Sequence, residues 1–149
     1  MKCRSFVFAG ILACAALGTN ADAQQFYNNW NTAACSFTDR AGFDLHHPTR
    51  LTAIELWYRW DRHESEVRYE LYQDDKFITR GFLMRASCDP YQEAWCEARA
   101  EVGIDLPRGF VEVRTERAKV CQNEGSHGEG FIHAYGMHDH GMRDPGMPN

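Results

Sequence analysis

The sequence predicts a mainly β protein, an antiparallel β-sandwich or jelly roll that disulfide bonds stabilise. Three observations support this fold class. Apolar and polar residues alternate in several short segments, turn residues lie between those segments, and an even number of cysteines follows the N-terminal region. Alternation with a period of two is typical of half-buried strands, and repeated short strands separated by turns are typical of sandwiches.

The clearest predicted strand covers residues 51–60, in which Ile54, Leu56 and Tyr58 alternate with other side chains. Because neighbouring side chains of a strand point to opposite faces, we expect these three residues to point into the core. The next strand, residues 67–73, has the same pattern. Its inward residues are Val67, Tyr69 and Leu71. The two segments predict a hairpin.

Further strands follow this hairpin along the chain. They are residues 76–85, 110–115, 120–121 and 130–135. Asp74 supplies turn chemistry before the first of them, and Gly81 within it marks a bulge or a bend. Val111 and Val113 form the apolar side of the segment after the Pro-Arg-Gly turn.

A helix-like pattern interrupts the strands near residues 90–102. Asp89 fits an N-cap, Pro90 the first helical position and Gly103 the helix end. The surrounding strands instead favour a strand over residues 95–104. We predict one short helix near residues 90–102 and keep the strand as the alternative.

Four cysteines follow residue 23, namely Cys35, Cys88, Cys96 and Cys121. In an exported chain such an even set predicts two disulfides, for which three connectivities exist. We expect Cys88 to pair with Cys96, its near neighbour, and Cys35 to pair with Cys121, which ties the two ends of the domain together. No two cysteines have the spacing of a zinc knuckle.

The N-terminal residues have the three parts of a signal peptide. A basic end is followed by the apolar residues 6–17 and by an Ala-Asp-Ala exit at residues 21–23. We therefore expect residues 1–23 to be removed and the protein to reach the periplasm or the cell exterior. Lipoprotein anchoring at Cys14 is the alternative interpretation.

We expect the remaining chain to divide into one domain, residues 24–136, and a flexible tail, residues 137–149. The longest apolar run is shorter than the roughly 20 residues of a membrane-spanning helix, so we predict no transmembrane segment. The chain has 16 Lys and Arg against 21 Asp and Glu, a net charge of -5. No basic stripe indicates a nucleic-acid partner, and the sequence identifies no protein partner.

Outward-facing aromatic residues form the first candidate ligand site. The predicted registers place Trp57, Tyr72 and Phe110 on the polar face of the sheet, with Arg59 and Glu70 among the charged residues beside them. Aromatic rings offer a surface on which a sugar stacks, and charged groups bond its hydroxyls. The structural alternative is that these rings pack against a second sheet or in cross-strand pairs.

At the level of fold the chain is similar to secreted jelly-roll binding modules, including carbohydrate-binding ones. No Gly-x-Ser-x-Gly, His-Glu-x-x-His or phosphate-binding glycine loop is present, so the sequence favours a non-catalytic function. The leading hypothesis is a binding module for a glycan or another envelope component.

The tail carries the second candidate site. Methionine recurs every five residues as Met137, Met142 and Met147, and His138 and His140 lie in the first unit. Thioethers suit Cu(I), while imidazoles suit Cu(II) and similar ions. The tail resembles the Met- and His-rich segments of periplasmic copper-handling proteins. That resemblance implies copper as a cofactor, and the alternative is a solvated tail without a role.

Overall fold

The computed structural model describes residues 23–138, which are mainly strands with almost no helix. In chain order the strands are β1 (Gln24–Asn28), β2 (Ser36–Thr38), β3 (Arg40–Leu45), β4 (Thr49–Arg59), β5 (Glu66–Gln73), β6 (Lys76–Cys88), β7 (Trp95–Leu106), β8 (Gly109–Thr115), β9 (Val120–Gln122) and β10 (Ile132–His138). A short 3-10 helix, Glu124–Ser126, precedes β10. The predicted fold class, mainly β and antiparallel, is confirmed.

Eight strands lie side by side in the order β1-β10-β4-β7-β6-β5-β8-β3, and β9 pairs with β2 and with the end of β4. The sheet is nearly barrel-shaped and is compatible with a β-sandwich. Phe43 of β3 meets Phe26 of β1 edge-on at 5.7 Å between ring centroids and stacks on Tyr27 at 5.3 Å. Aromatic contacts therefore join the first and last strands of the order.

The inner face of the sheet contains the residues that alternation placed there. Those with at most 4% of their surface exposed include Ile54, Leu56, Tyr58, Val67, Tyr69, Leu71, Val111 and Val113. Burial of one side chain of this size contributes about 1.5–3 kcal/mol. The predictions for these three strands are confirmed, and the same alternation fixes which residues of β4 and β5 lie on the outer face.

Gly81 has a different role from the predicted bulge or bend. It lies directly opposite Tyr69, and a Cβ atom at this position would be 3.0 Å from the Cε1 atom of the tyrosine ring. The register of β5 and β6 shifts three residues earlier, at Ile78. Glycine at position 81 therefore makes room for a buried aromatic ring.

The predicted helix near residues 90–102 is wrong, and the strand that was kept as its alternative is present as β7. β4 pairs with β7 along nearly its whole length, and β6 pairs with its first part. These backbone hydrogen bonds outweigh the local helix signals. Asp89 does accept hydrogen bonds from the N–H groups of Tyr91 at 2.7 Å and Gln92 at 3.2 Å, but they form a turn before β7.

Both expected disulfides are present. Cys88 and Cys96 link β6 to β7 across their connecting loop, and Cys35 links the segment before β2 to Cys121 of β9. Disulfides of this kind are typical of an oxidising, exported environment.

Two of the predicted chain segments lie largely outside the described residues. The predicted signal peptide includes residues 1–22, and the predicted tail includes residues 139–149, none of which is described. β10 extends through Met137 to His138, two residues beyond the predicted end of the domain. Within residues 23–138, no helix has the length and apolar character needed to cross a bilayer.

The two disulfides close loops of very different length, so their removal should lower stability unequally. The cysteines are 86 residues apart in the Cys35–Cys121 bond and 8 residues apart in the Cys88–Cys96 bond. The loss of chain entropy in the unfolded state then stabilises the protein by about 4–5 kcal/mol for the first bond and about 2–3 kcal/mol for the second. We expect the Cys35→Ser/Cys121→Ser variant to unfold at a lower urea concentration than the matched Cys88→Ser/Cys96→Ser variant. Equal urea midpoints would contradict this expectation.

Candidate functional site

The predicted ligand residues do not form one site. Trp57 and Arg59 lie on the outer face of β4, whereas Glu70 and Tyr72 lie on β5. β7 and β6 separate these two strands in the sheet. The four residues therefore belong to two separate groups.

The group on β4 is part of a longer row of rings, which we call the aromatic row. Its members in spatial order are Phe37, Trp95, Trp57, Trp30, His133 and Tyr135. The Trp57 and Trp95 rings are nearly parallel, at 11° and 6.3 Å between centroids, and Phe37 stacks on Trp95 at 5.7 Å. The guanidinium carbon of Arg59 lies 5.8 Å from the Phe37 centroid, so a cation adjoins one end of the row.

Trp30 reaches the row from the segment between β1 and β2. Its ring stacks on His133 at 3.8 Å and contacts Trp57 at 5.3 Å. Asn29 fixes the start of the segment, because its side chain donates to the carbonyl of Gly130 and accepts from the N–H of Ile132. The Cys35–Cys121 disulfide fixes its other end.

An open groove of about 650 Å³ lies between Trp30, Trp57 and Trp95. Its polar lining residues are Asn31, Thr32, Asp89 and Gln92. A volume in this range is typical of small-ligand sites, as is a mainly apolar wall with a few polar groups. The groove therefore combines flat rings with hydrogen-bonding side chains.

A charged network lies beside the groove on β4, β7 and β10. Glu55 is only 7% exposed, and its carboxylate accepts hydrogen bonds from Arg99 Nη1 at 2.5 Å and from the Tyr135 hydroxyl at 2.6 Å. His133 Nδ1 lies 3.3 Å from the same carboxylate. Buried charges require partners of this kind, because removing them from water is costly.

The hydrogen bonds determine how Glu55 titrates. Burial alone would raise its pKa, but the bonds from Tyr135, Arg99 and His133 together outweigh burial, so the pKa of Glu55 is lowered. Burial and the bond to Glu55 raise the pKa of Tyr135 to about 12. Glu55 is therefore an anion and Tyr135 a neutral donor at neutral pH.

Two ring nitrogens of the aromatic row lack hydrogen-bond partners. Trp30 Nε1 and His133 Nε2 are both buried and have no partner among the described residues. Buried polar atoms usually have hydrogen-bond partners, so these two nitrogens are exceptions within the described part of the chain.

The group on β5 is a compact set of contacts on another part of the outer face. The Tyr72 hydroxyl donates to Glu70 at 2.6 Å, which raises the pKa of the tyrosine. The guanidinium carbon of Arg114 lies 4.0 Å from the Tyr72 centroid, and Arg114 also forms an ion pair with Glu112. These groups largely satisfy one another, which matches the cross-strand alternative considered for them. Phe110 lies apart from them, over Gly42 of β3.

Only two of the five predicted metal ligands lie within the described residues. Met137 and His138 belong to β10, where they are register partners of Arg50 and Thr49. His140, Met142 and Met147 lie outside the described residues. Within residues 23–138, no group of three or more His, Cys, Asp or Glu side chains is arranged to hold a metal ion.

Comparison of the chain with models of protein families, with curated proteins and with solved structures found no match.

Sequence reasoning missed most of the aromatic row. Trp95 lies within the stretch for which the sequence predicts a helix, and the segment that contains Trp30 carries no periodic signal. His133 and Tyr135 are two residues apart in β10 and share its outer face. The sequence contains this alternation, but the segment is too short for the alternation to single out these two residues. Their contacts with β4 depend on a strand order that the sequence does not contain.

The buried network predicts a pH-dependent loss of stability in one variant. We expect Glu55→Gln to destabilise the domain by about 2 kcal/mol at pH 7, because Arg99 and His133 lose a buried anionic partner. Since the folded pKa of Glu55 is lowered, this difference should be complete above its ordinary value of 4.5 and shrink as pH falls below it. Urea unfolding at several pH values measures both effects.

Glu101→Gln is the matched control, because the exposed Glu101 carboxylate contacts the same arginine at 2.8 Å. An exposed pair of this kind is worth well under about 1 kcal/mol. Equal losses in the two variants would show that burial of Glu55 adds nothing.

Proposed function

We propose that this protein is a non-catalytic binding module of an exported compartment, either the periplasm or the cell exterior. Its ligand binds in the groove between Trp30, Trp57 and Trp95. The observation that carries this proposal is the nearly parallel pair of Trp57 and Trp95 on the outer face, beside an open groove with polar side chains at its edge.

A glycan or another hydroxyl-rich envelope component is the class of ligand that this arrangement favours. Indole rings offer large, rigid surfaces to the C–H face of a sugar, and they lose little conformational entropy on binding. The side-chain amide of Gln92 and the hydroxyl of Thr32 both line the groove and form no hydrogen bond to the described residues, so both are open to sugar hydroxyls. Arg59, at the end of the row, adds a donor that fixes orientation.

The proposal assigns different roles to the two predicted groups. Trp57 and Arg59 belong to the ligand groove, with Trp95 as a second stacking ring. Glu70 and Tyr72 contact each other and Arg114 on another part of the surface. They therefore serve as a second contact only for a ligand long enough to cross β7 and β6.

A glycan array followed by calorimetry tests this proposal. We expect Trp57→Ala and Trp95→Ala each to weaken binding of the best array oligosaccharide by about 2 kcal/mol, roughly 30-fold, since each removes a stacking surface. Tyr72→Ala is the matched control and should leave unchanged the affinity for an oligosaccharide too short to reach β5. If the array shows no ligand, the glycan assignment fails; if only Tyr72→Ala abolishes binding, the site lies on β5.

The methionine spacing favours a second candidate function, copper handling by the tail with Met137, His138, His140, Met142 and Met147 as ligands. Met137, Met142 and Met147 recur at a constant interval, and thioether ligands select Cu(I). This candidate is independent of the groove.

Copper titration by calorimetry, with and without a reductant, tests this second function. The truncated protein should end at His138, because removal of Met137 and His138 would also remove residues paired with β4. We expect the full chain to bind Cu(I) and the truncated protein to bind it at least about tenfold more weakly, given the loss of three of the five ligands. Equal uptake by both would exclude the tail as the site.

A further inference from the structure

One part of the sheet has an unpaired strand edge. β6 and β7 are paired from Cys88 and Cys96 only as far as Met84 and Arg99. Beyond that point, residues 76–83 of β6 pair with β5 alone within the described part of the chain. Alternate backbone N–H and C=O groups of this segment are therefore free to pair with another strand.

The shape of β7 accounts for this separation. Its register with β4 shifts between the pairs Leu51 with Ile104 and Ala53 with Glu101, and Gly103 in this stretch has a φ of +68°. A bulge of this kind bends a strand and increases its twist. β7 consequently follows β4 while β6 follows β5.

The side chains along the free edge are unusually apolar for a solvent-facing surface. Phe77 is 52% exposed, Phe82 and Met84 are each 49% exposed, and Ile78 is 36% exposed. Clustered apolar residues of this size are typical of interaction surfaces. β6 contains no proline, a residue that would block the pairing of a further strand at an edge.

The charges on β6 itself are all positive. Acidic residues lie beside it, namely Asp74 and Asp75 in the preceding turn and Glu70 opposite Arg80 on β5. β6 contains Lys76, Arg80 and Arg85 and no acidic residue, although the chain as a whole has a net charge of -5. Arg68 of the neighbouring β5 lies with its guanidinium carbon 5.9 Å from the Phe82 centroid. Among the described ion pairs, none involves Lys76, Arg68 or Arg80. These cations are available to an anionic partner.

We propose that the free edge of β6 binds an extended, acidic polypeptide segment of a partner protein, which adds a strand beside residues 76–83. Backbone pairing supplies the affinity, as in other cases of strand addition, and the cations select acidic side chains. A second copy of this chain fits poorly, because pairing of the two free edges would bring Lys76 and Arg80 of one copy next to those of the other. The open backbone edge favours a polypeptide over an anionic membrane, since only a strand can pair with it.

Fluorescence anisotropy with labelled ten-residue peptides tests the proposal. The probe alternates glutamate and valine, one control alternates lysine and valine, and another alternates glutamate and proline. The first control reverses the charge, and the second keeps it but lacks the donors and backbone angles of a strand. We expect only the glutamate-valine peptide to bind, and Arg80→Glu to weaken its binding about tenfold in low salt.

Arg62→Glu, an exposed substitution in the β4–β5 turn, is the matched control for charge and should leave the affinity unchanged. Phe82→Ser, which removes an exposed apolar contact, should also weaken binding. The proposal is overturned if the glutamate-valine peptide does not bind, or if the glutamate-proline peptide binds equally well. Binding to phosphatidylglycerol vesicles without binding of the peptide would instead identify a membrane surface.

Discussion

The pairing of β4 with β10 on one side and with β7 on the other is the interaction on which the rest of the structure depends. β4 is paired along most of its length on both sides. Its register determines that Ile54, Leu56 and Tyr58 point inward, while Glu55 and Trp57 point outward. A slip of one residue would exchange the two faces. The core and the candidate ligand groove thus have a common cause.

This pairing also explains how the buried carboxylate of Glu55 is stabilised beside the aromatic row. Glu55 lies between strands that each contribute a partner, Arg99 from β7 and both His133 and Tyr135 from β10. Trp30 covers His133 from outside. The network specifies the positions of the neighbouring rings, so the groove is preorganised by polar contacts as well as by packing.

The sheet is closed at one place and open at another. Aromatic side chains close the gap between β1 and β3, whereas the divergence of β6 from β7 leaves a backbone edge with exposed apolar and cationic side chains. The proposed ligand of the groove between Trp30, Trp57 and Trp95 has a flat face and hydroxyls. The proposed ligand of the β6 edge is an extended chain, so the two proposals assign different kinds of partner to different parts of the surface.

The sequence by itself determined the features that depend on local periodicity and on cysteine count. These are the antiparallel β class, the inward residues of β4, β5 and β8, and the preferred disulfide pairing. Only the tertiary structure decided that residues 95–106 form a strand, that Trp57 joins Trp95 and Trp30, and that Tyr72 lies elsewhere. The reason is that alternation specifies which face a side chain occupies, whereas strand order, which brings distant residues together, is set by pairing across the whole sheet.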